Sequence, residues 1–186
     1  MTRLWELRWP GCLPLADQLR VSCAERWFRI HSLPASKRYA ETHEERTEIL
    51  LRHRAVLESL GVDEQTPLIT VTTEYSRQSE IEARSTEQDA VQPGAWKWLA
   101  IPGSEDIDEP GWWQLFVAET RVSGLDGLLH LVADDGCRGV LLLPTDLSWI
   151  VHPYDGGADV IVQTPAERDV LRARFSDWLS TREDGL

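Results

Sequence analysis

The strongest local signal in the sequence is the stretch from Leu147 to Val162. Two short runs, residues 147–153 and 158–162, flank the triplet Asp155-Gly156-Gly157. Asp-Gly and Gly-Gly steps are typical of tight turns, because glycine readily takes the positive φ angles that such turns need. We therefore predict a β-hairpin here, and we expect the rest of the chain to pack around it.

The two strands of this hairpin have chemically different faces. With a loop of two or four residues, alternation makes one face apolar and the other mixed. The apolar face is the expected core. The apolar face carries Trp149, Val151, Val160 and Val162. The mixed face carries His152, Tyr154, Asp159 and Ile161.

Hydrophobic periodicity predicts the remaining elements. The run Gly139–Leu143 is apolar throughout, which is typical of a central strand buried on both faces. Alternating residues predict strands at 26–34, 68–75, 96–100 and 112–120, and a short strand or extended arm at 3–9. Helices are predicted at 14–23, from Ser36 or Thr42 to Leu60, at 125–134 and from Thr164 onward.

These elements predict an α+β fold with a mainly antiparallel sheet of about six strands, covered on one side by three or four helices. A parallel doubly wound sheet is less favoured, since strands and helices do not alternate regularly. The length of 186 residues suits a single domain, 1–186. Residues 76–94 contain no Phe, Trp or Leu, so we expect a mobile loop or a weak helix around Ser79–Arg84.

The three cysteines, Cys12, Cys23 and Cys137, are an odd number with no close pairing in the sequence. This argues against a disulfide framework and against a zinc site, so we expect reduced, structural thiols. We expect no metal and no cofactor. The sequence begins with no charged-then-apolar leader and has no apolar run near 18 residues, which predicts a cytoplasmic protein without a membrane partner.

The charge of the chain is unevenly distributed. The net charge is −12, which argues against a nucleic-acid partner because phosphate attraction needs the opposite sign. Residues 1–61 contain 10 basic and 8 acidic residues, whereas residues 62–186 contain 9 basic and 23 acidic residues. The acidic field therefore belongs to the C-terminal two-thirds.

The leading hypothesis is a non-enzymatic acidic module that binds a basic protein partner. An acidic field steers a basic partner, and tryptophan, of which the chain has nine, is a frequent anchor at interfaces. The candidate binding residues are in and beside the acidic turn: Glu105, Asp106, Asp108, Glu109 and Trp112. Such association weakens with salt. A homodimer through an exposed strand edge is also left open.

The alternative is a small-molecule or phosphate-binding enzyme or sensor. Basic residues near a helix N-terminus can hold an anion. The candidates are Arg29, His31, Lys37 and Arg38, with His152 and Asp159 as candidate catalytic residues. This hypothesis requires segments 29–38 and 152–159 to converge in space. The competing interpretation is that the basic side chains pair with C-terminal carboxylates and hold the two halves together.

Common catalytic motifs do not decide between these hypotheses. The sequence has no Gly-x4-Gly-Lys-Ser/Thr, no Gly-x-Gly-x-x-Gly, no Gly-x-Ser-x-Gly and no His-Glu-x-x-His. The stretch Asp134-Asp135-Gly136 is too short to be specific. An enzyme is therefore unsupported by motif and is left open.

Two segments carry a resemblance to other proteins. Ile30-His-Ser-Leu-Pro-Ala-Ser-Lys-Arg-Tyr39 and His152-Pro-Tyr-Asp-Gly-Gly-Ala-Asp-Val160 resemble recurring segments of uncharacterised bacterial proteins, of the domain-of-unknown-function kind. They cover about a tenth of the chain and imply no activity. In composition alone, the acidic and Trp-rich chain is similar to bacterial immunity proteins, which bind and neutralise toxins.

Overall fold

The sheet is the frame of the molecule. The computed structural model describes residues 1–78, 84–103 and 111–180. Within these residues seven strands form one sheet in which all neighbours are antiparallel. The strands are β1 (Trp27–His31), β2 (Pro67–Ser76), β3 (Trp96–Pro102), β4 (Trp112–Arg121), β5 (Leu141–Pro144), β6 (Ile150–Tyr154) and β7 (Gly157–Ile161). Their order is β1-β7-β6-β5-β2-β4-β3.

Six α-helices accompany the sheet in the described ranges. They are α1 (Thr2–Arg8), α2 (Ala16–Ser22), α3 (His43–Ser59), α4 (Thr86–Val91), α5 (Asp126–Ala133) and α6 (Pro165–Arg174). The predicted α+β class with an antiparallel sheet is confirmed, although the described residues form seven strands and six α-helices where about six strands and three or four helices were expected. The apolar run predicted as a central strand is β5, which lies in the middle of the sheet.

The predicted hairpin is β6 and β7, joined by a loop of two residues. Val151 lies opposite Val160 and His152 opposite Asp159, so the predicted faces are confirmed. The predicted positive φ is wrong, because neither Gly156 nor Gly157 takes one. Glycine is needed at 157 for a different reason. A Cβ there would overlap the carbonyl oxygen of Ile30 in β1, so only a residue without a side chain lets the two strands approach.

Apolar side chains pack on both faces of the sheet, which corrects the prediction of helices on one side. One core contains Val151 and Val160 together with residues of α3, α5 and α6. The opposite core contains Ile150, Ile161 and residues of α1 and α2. Because successive strand residues point to opposite faces, each strand of the middle contributes to both cores.

The N-terminal segment is a helix, so the strand or extended arm predicted at 3–9 is wrong. Trp5 and Trp9 lie four residues apart and are both buried, while Leu7 between them is 76% exposed. A strand would place Leu7 on the same buried face as the two tryptophans, so its exposure fits a helix and not a strand. The indole Nε1 of Trp9 donates to the carbonyl of Leu147 at 3.0 Å, which fixes α1 against the start of the hairpin.

Helix α3 begins at the second of its two predicted starts. The hydroxyl of Thr42 accepts from the backbone N–H of Glu45, and the Glu45 carboxylate accepts from the N–H of Thr42, which is a complete capping box. The helix ends before Gly61, which has φ of 82°. His53 is buried on this helix. Arg52 is also buried, and it donates to the carbonyl of His31 at 2.9 Å.

Part of the expected loop at 76–94 is ordered into a helix. Its residues 86–91 form α4, because the hydroxyl of Ser85 caps the N-terminus by accepting from Gln88. Most of the weak helix predicted around Ser79–Arg84 lies outside the described residues. None of the helices that the structure describes is long and apolar enough to cross a bilayer.

Candidate functional site

An open cavity lies at one end of the sheet, on the face that α2 covers. Its volume is about 520 Å³, which is in the range of small-molecule sites. Its wall is formed by the hairpin, β1, the ends of β2 and β4, the first turn of α2 and the loop after α5. The polar and aromatic wall residues are Asp17, Gln18, Arg29, Arg38, Thr73, Trp113, Asp135, Arg138, His152, Tyr154, Asp155 and Asp159.

The most deeply placed charges are those of Arg29 and Asp159. The residues lie opposite each other in β1 and β7, and Nε and Nη2 of Arg29 donate to the two carboxylate oxygens of Asp159 at 2.7 and 3.0 Å. The side chains are 15% and 6% exposed. Burial lowers the pKa of Arg29, but the hydrogen bond and charge of Asp159 outweigh burial and leave that pKa raised. The Arg29 guanidinium therefore stays charged despite its burial.

His152 lies beside this pair, opposite Asp159 in the hairpin. Its Nδ1 is 2.7 Å from the carbonyl oxygen of Val140. A carbonyl only accepts, so Nδ1 carries the proton and Nε2 of the neutral ring is unprotonated. Burial lowers the pKa of His152 despite the nearby Asp159 charge, which keeps the ring neutral. Nε2 has no partner in the described part of the chain, so it can accept a hydrogen bond from a ligand.

Asp155 anchors the predicted basic loop to the hairpin turn. Its Oδ2 accepts from Nε of Arg38 at 2.6 Å and from the hydroxyl of Tyr39 at 2.9 Å. Asp155 is buried, whereas the Arg38 side chain is 65% exposed. Both terminal nitrogens of Arg38 have no partner among the residues described, so four N–H donors remain for a ligand.

The loop after α5 brings a third arginine to the cavity. Nε and Nη2 of Arg138 donate to the carboxylate of Asp135 at 2.8 and 2.6 Å. Asp135 has φ of 58°, the left-handed conformation that aspartate tolerates better than most residues. Asp17, in the first turn of α2, also lies on the wall and has no ion pair within the described ranges. Sequence reasoning missed Asp17, Arg138 and Trp113 and set aside the stretch that contains Asp135, because nothing in local periodicity relates these residues.

Comparison with known proteins identifies the family of the chain. A family model described as a domain of unknown function, DUF3885, matches residues 15–183. The chain belongs to the DUF3885 family. The resemblance inferred from the two segments is therefore confirmed, and every cavity residue named above lies inside the matched range of DUF3885. No curated protein and no solved structure matches the chain.

The DUF3885 fold brings together four of the six residues proposed for the alternative hypothesis. Arg29, Arg38, His152 and Asp159 all line the cavity, so the segments 29–38 and 152–159 do converge. Both arginines also pair with C-terminal aspartates, as the competing interpretation expected. Both carboxylate oxygens of Asp159 are engaged by Arg29, and its neighbour His152 hydrogen-bonds elsewhere.

The other two residues lie outside the cavity wall. Nζ of Lys37 donates to Glu45 at 2.7 Å and to Glu41 at 3.1 Å, which ties it to the start of α3. His31 lies at the end of β1, where burial, and then the charges of Arg29 and Arg52, lower its pKa. Its Nε2 is buried and has no partner among the atoms described.

The residues of the leading hypothesis lie largely outside the described ranges. Glu105, Asp106, Asp108 and Glu109 fall in 104–110, of which nothing is described. Trp112 begins β4, half-buried, opposite Ser76 and Pro102. Among the residues that the structure describes, no group of three or more His, Cys, Asp or Glu could hold a metal ion.

The buried His152 predicts a pH dependence of stability. Because its pKa is lowered in the fold from 6.5, the unfolded chain takes up the proton first as the pH falls. Its contribution to stability is present above pH 6.5 and is lost below it, by up to about 1.4 kcal/mol per pH unit. We expect His152→Gln, whose amide can still donate to Val140, to make the fall of the unfolding free energy below pH 6.5 less steep, while the buried His53, whose pKa is also lowered, keeps part of the slope.

Urea denaturation at a series of pH values measures this curve. His43→Gln is the matched control, because His43 is exposed in the first turn of α3. The control should keep the wild-type slope. If His152→Gln also keeps it, the buried neutral ring is not what makes stability depend on pH.

Proposed function

We propose that this DUF3885 chain binds a small molecule in the cavity, and that the ligand carries a phosphate or carboxylate together with a hydrogen-bond donor. One observation carries the proposal. Three guanidinium groups with unused N–H donors converge around one cavity, and the unprotonated Nε2 of His152 lies in the same cavity. The proposal keeps the ligand-binding part of the alternative hypothesis drawn from the sequence and includes no catalysed reaction.

The arginines are suited to an anion although each one is paired. Arg38 uses only Nε for Asp155, and Arg138 leaves Nη1 unused. A guanidinium has five N–H donors, so each can hold its aspartate and a ligand oxygen at once. The aspartates fix the direction of the remaining donors. Such preorganisation reduces the cost of ordering the side chains when the ligand binds.

The balance of charge on the wall favours a ligand with donors as well as an anion. Three arginines face four aspartates, so the cavity does not attract anions by its overall field. Asp17 carries an unpaired carboxylate, within the described ranges, and His152 offers an acceptor. A ligand N–H or ammonium group satisfies these acceptors while its anionic group meets the arginines. Trp113 adds an aromatic surface, which suits a planar ligand.

Isothermal titration calorimetry with two probes tests this. Inorganic phosphate probes the anion subsite alone, and adenosine monophosphate joins a phosphate to a planar ring with N–H donors. We expect both to bind, the nucleotide more tightly. We expect Arg38→Gln to weaken both by about tenfold to a hundredfold, since a charge-assisted hydrogen bond contributes about 1.5–3 kcal/mol.

Arg172→Gln is the control, because Arg172 is exposed on α6 and is not part of the cavity wall. Its affinities should equal those of the unchanged protein. Binding that is equally strong in Arg38→Gln, or no heat with either probe at millimolar concentration, would contradict the proposal.

A second candidate function is the acidic module for a basic protein partner. The observation that favours it is the acidic charge of residues 62–186, which contain 23 acidic and only 9 basic residues. At the edge of the sheet, β3 also carries Trp96, which is 50% exposed. Neutralising Glu105, Asp106, Asp108 and Glu109 distinguishes the two functions, because it removes the proposed attraction for a basic partner and changes none of the wall residues named above.

A further inference from the structure

Two cysteines that are eleven residues apart in the sequence meet in the fold. The sulfur atoms of Cys12 and Cys23 are 3.9 Å apart, at the two ends of the segment that contains α2. Sequence reasoning expected thiols with no close pairing. The fold brings these two together because the chain reverses through α2, while Cys137 lies in the loop after α5.

The surroundings of the two sulfurs differ. Cys23 is buried, and burial, followed by the neighbouring Cys12, raises the pKa of its thiol to about 11. Cys12 is half-buried and so is open to a reagent. Nη2 of Arg26 lies 3.6 Å from the Cys23 sulfur, and the Arg26 guanidinium is held 5.1 Å over the ring of Trp9. A fixed positive charge beside a sulfur stabilises the thiolate that forms during exchange.

We propose that Cys12 and Cys23 are a thiol-oxidation site that closes a reversible intramolecular disulfide, with a low-molecular-weight disulfide as the oxidant. The thiolate of Cys12 attacks one sulfur of the oxidant and releases its other half as a thiolate. The Cys23 thiolate then attacks the Cys12 sulfur and releases the second half. The two protons of the cysteines go to the two released thiolates, so two thiols are oxidised and one disulfide is reduced.

The bond would tie together the ends of the segment that carries α2. The first turn of this helix, Leu15–Gln18, is part of the cavity wall, so oxidation fixes one side of the cavity. The proposal goes beyond ligand binding and does not depend on it. Oxidation can be measured in the absence of any ligand, so the two proposals fail independently.

Peptide mapping after treatment with oxidised glutathione tests the site in the folded full-length chain. Trypsin cuts after Arg8, Arg20 and Arg26, which places Cys12 in peptide 9–20 and Cys23 in peptide 21–26. We expect a loss of about 2 Da from the intact mass and a linked pair of these peptides, both reversed by dithiothreitol. Cys137→Ser is the matched control and should give the same linked pair.

Cys12→Ser should remove the linked pair, and its circular dichroism spectrum verifies that it is folded. Three results would overturn the proposal. They are a stable glutathione adduct on Cys12 with Cys23 free, both thiols unmodified in the folded chain, or a bridge that includes Cys137.

Discussion

Asp159→Leu is expected to lower the free energy of unfolding by about 3–5 kcal/mol, because it leaves Arg29 buried without its counter-ion. Both guanidinium–carboxylate hydrogen bonds of Arg29 go to this one residue. The guanidinium cannot lose its proton to escape the cost, since the pKa of arginine is far above any working pH. Urea denaturation measures the loss, provided that the m-value of the variant equals that of the unchanged protein.

The matched control for this variant is Asp169→Leu. Asp169 also accepts from an arginine, Arg168, at 2.7 Å, but its carboxylate is 66% exposed on α6. An exposed pair contributes about 1 kcal/mol or less, so the control should remain close to the unchanged protein. A similar loss in both variants would show that burial of the Arg29 pair is not the cause.

The double variant Arg29→Met/Asp159→Leu separates the buried charge from the shape of the site. We expect it to recover most of the stability, because two apolar side chains of similar size replace a buried ion pair at little cost. If the double variant is as unstable as Asp159→Leu alone, the damage comes from lost packing in β7 and not from the unpaired charge.

Gly157→Ala is expected to have the second large effect, a loss of about 3 kcal/mol or more. The added Cβ would overlap the backbone oxygen of Ile30, and backbone cannot rotate away as a side chain can. Strand β1 must therefore separate from β7, which disturbs the Arg29–Asp159 pair two residues further along. Urea denaturation and the yield of folded protein measure this.

Gly156→Ala is the control for the same hairpin. Its nearest neighbours would be a ring carbon of Tyr154 at 3.4 Å and Cγ of Arg38 at 3.6 Å, which are ordinary contacts. Its φ is not positive, so alanine adds no backbone strain, and we expect a change within about 1 kcal/mol. Equal effects of the two alanines would contradict the role assigned to Gly157.

The parts of the fold that could be predicted from the sequence are those governed by local periodicity. The two faces of the hairpin follow from strict alternation, and β5 follows from an unbroken apolar run. The Thr42 capping box marks the start of α3. In each case, neighbours in sequence decide which side of an element is buried, and no distant contact overrides them.

The parts that could not be predicted depend on contacts between distant segments. Trp5, Leu7 and Trp9 alternate like a strand, and only the burial of Trp9 against Leu147 selects the helix. The 3.9 Å approach of Cys12 and Cys23 likewise follows from how the chain folds around α2.

The candidate site was half predicted for the same reason. Arg29, Arg38, His152 and Asp159 were named because two polar segments stood out from their surroundings. Arg138 comes from a loop that gave no specific signal, and it reaches the cavity only because β5 and β6 are neighbours in the sheet. A site assembled from three separate segments of the chain produces no signal in the local sequence pattern.

The most direct test of ligand binding is an NMR titration of the arginine Nε–H signals with inorganic phosphate. We expect the signals of Arg38 and Arg138 to shift and saturate together, while that of the exposed Arg172 on α6 does not move. If no signal shifts, or if Arg172 responds as strongly as the two cavity arginines, phosphate does not bind in this cavity and the proposed function is wrong.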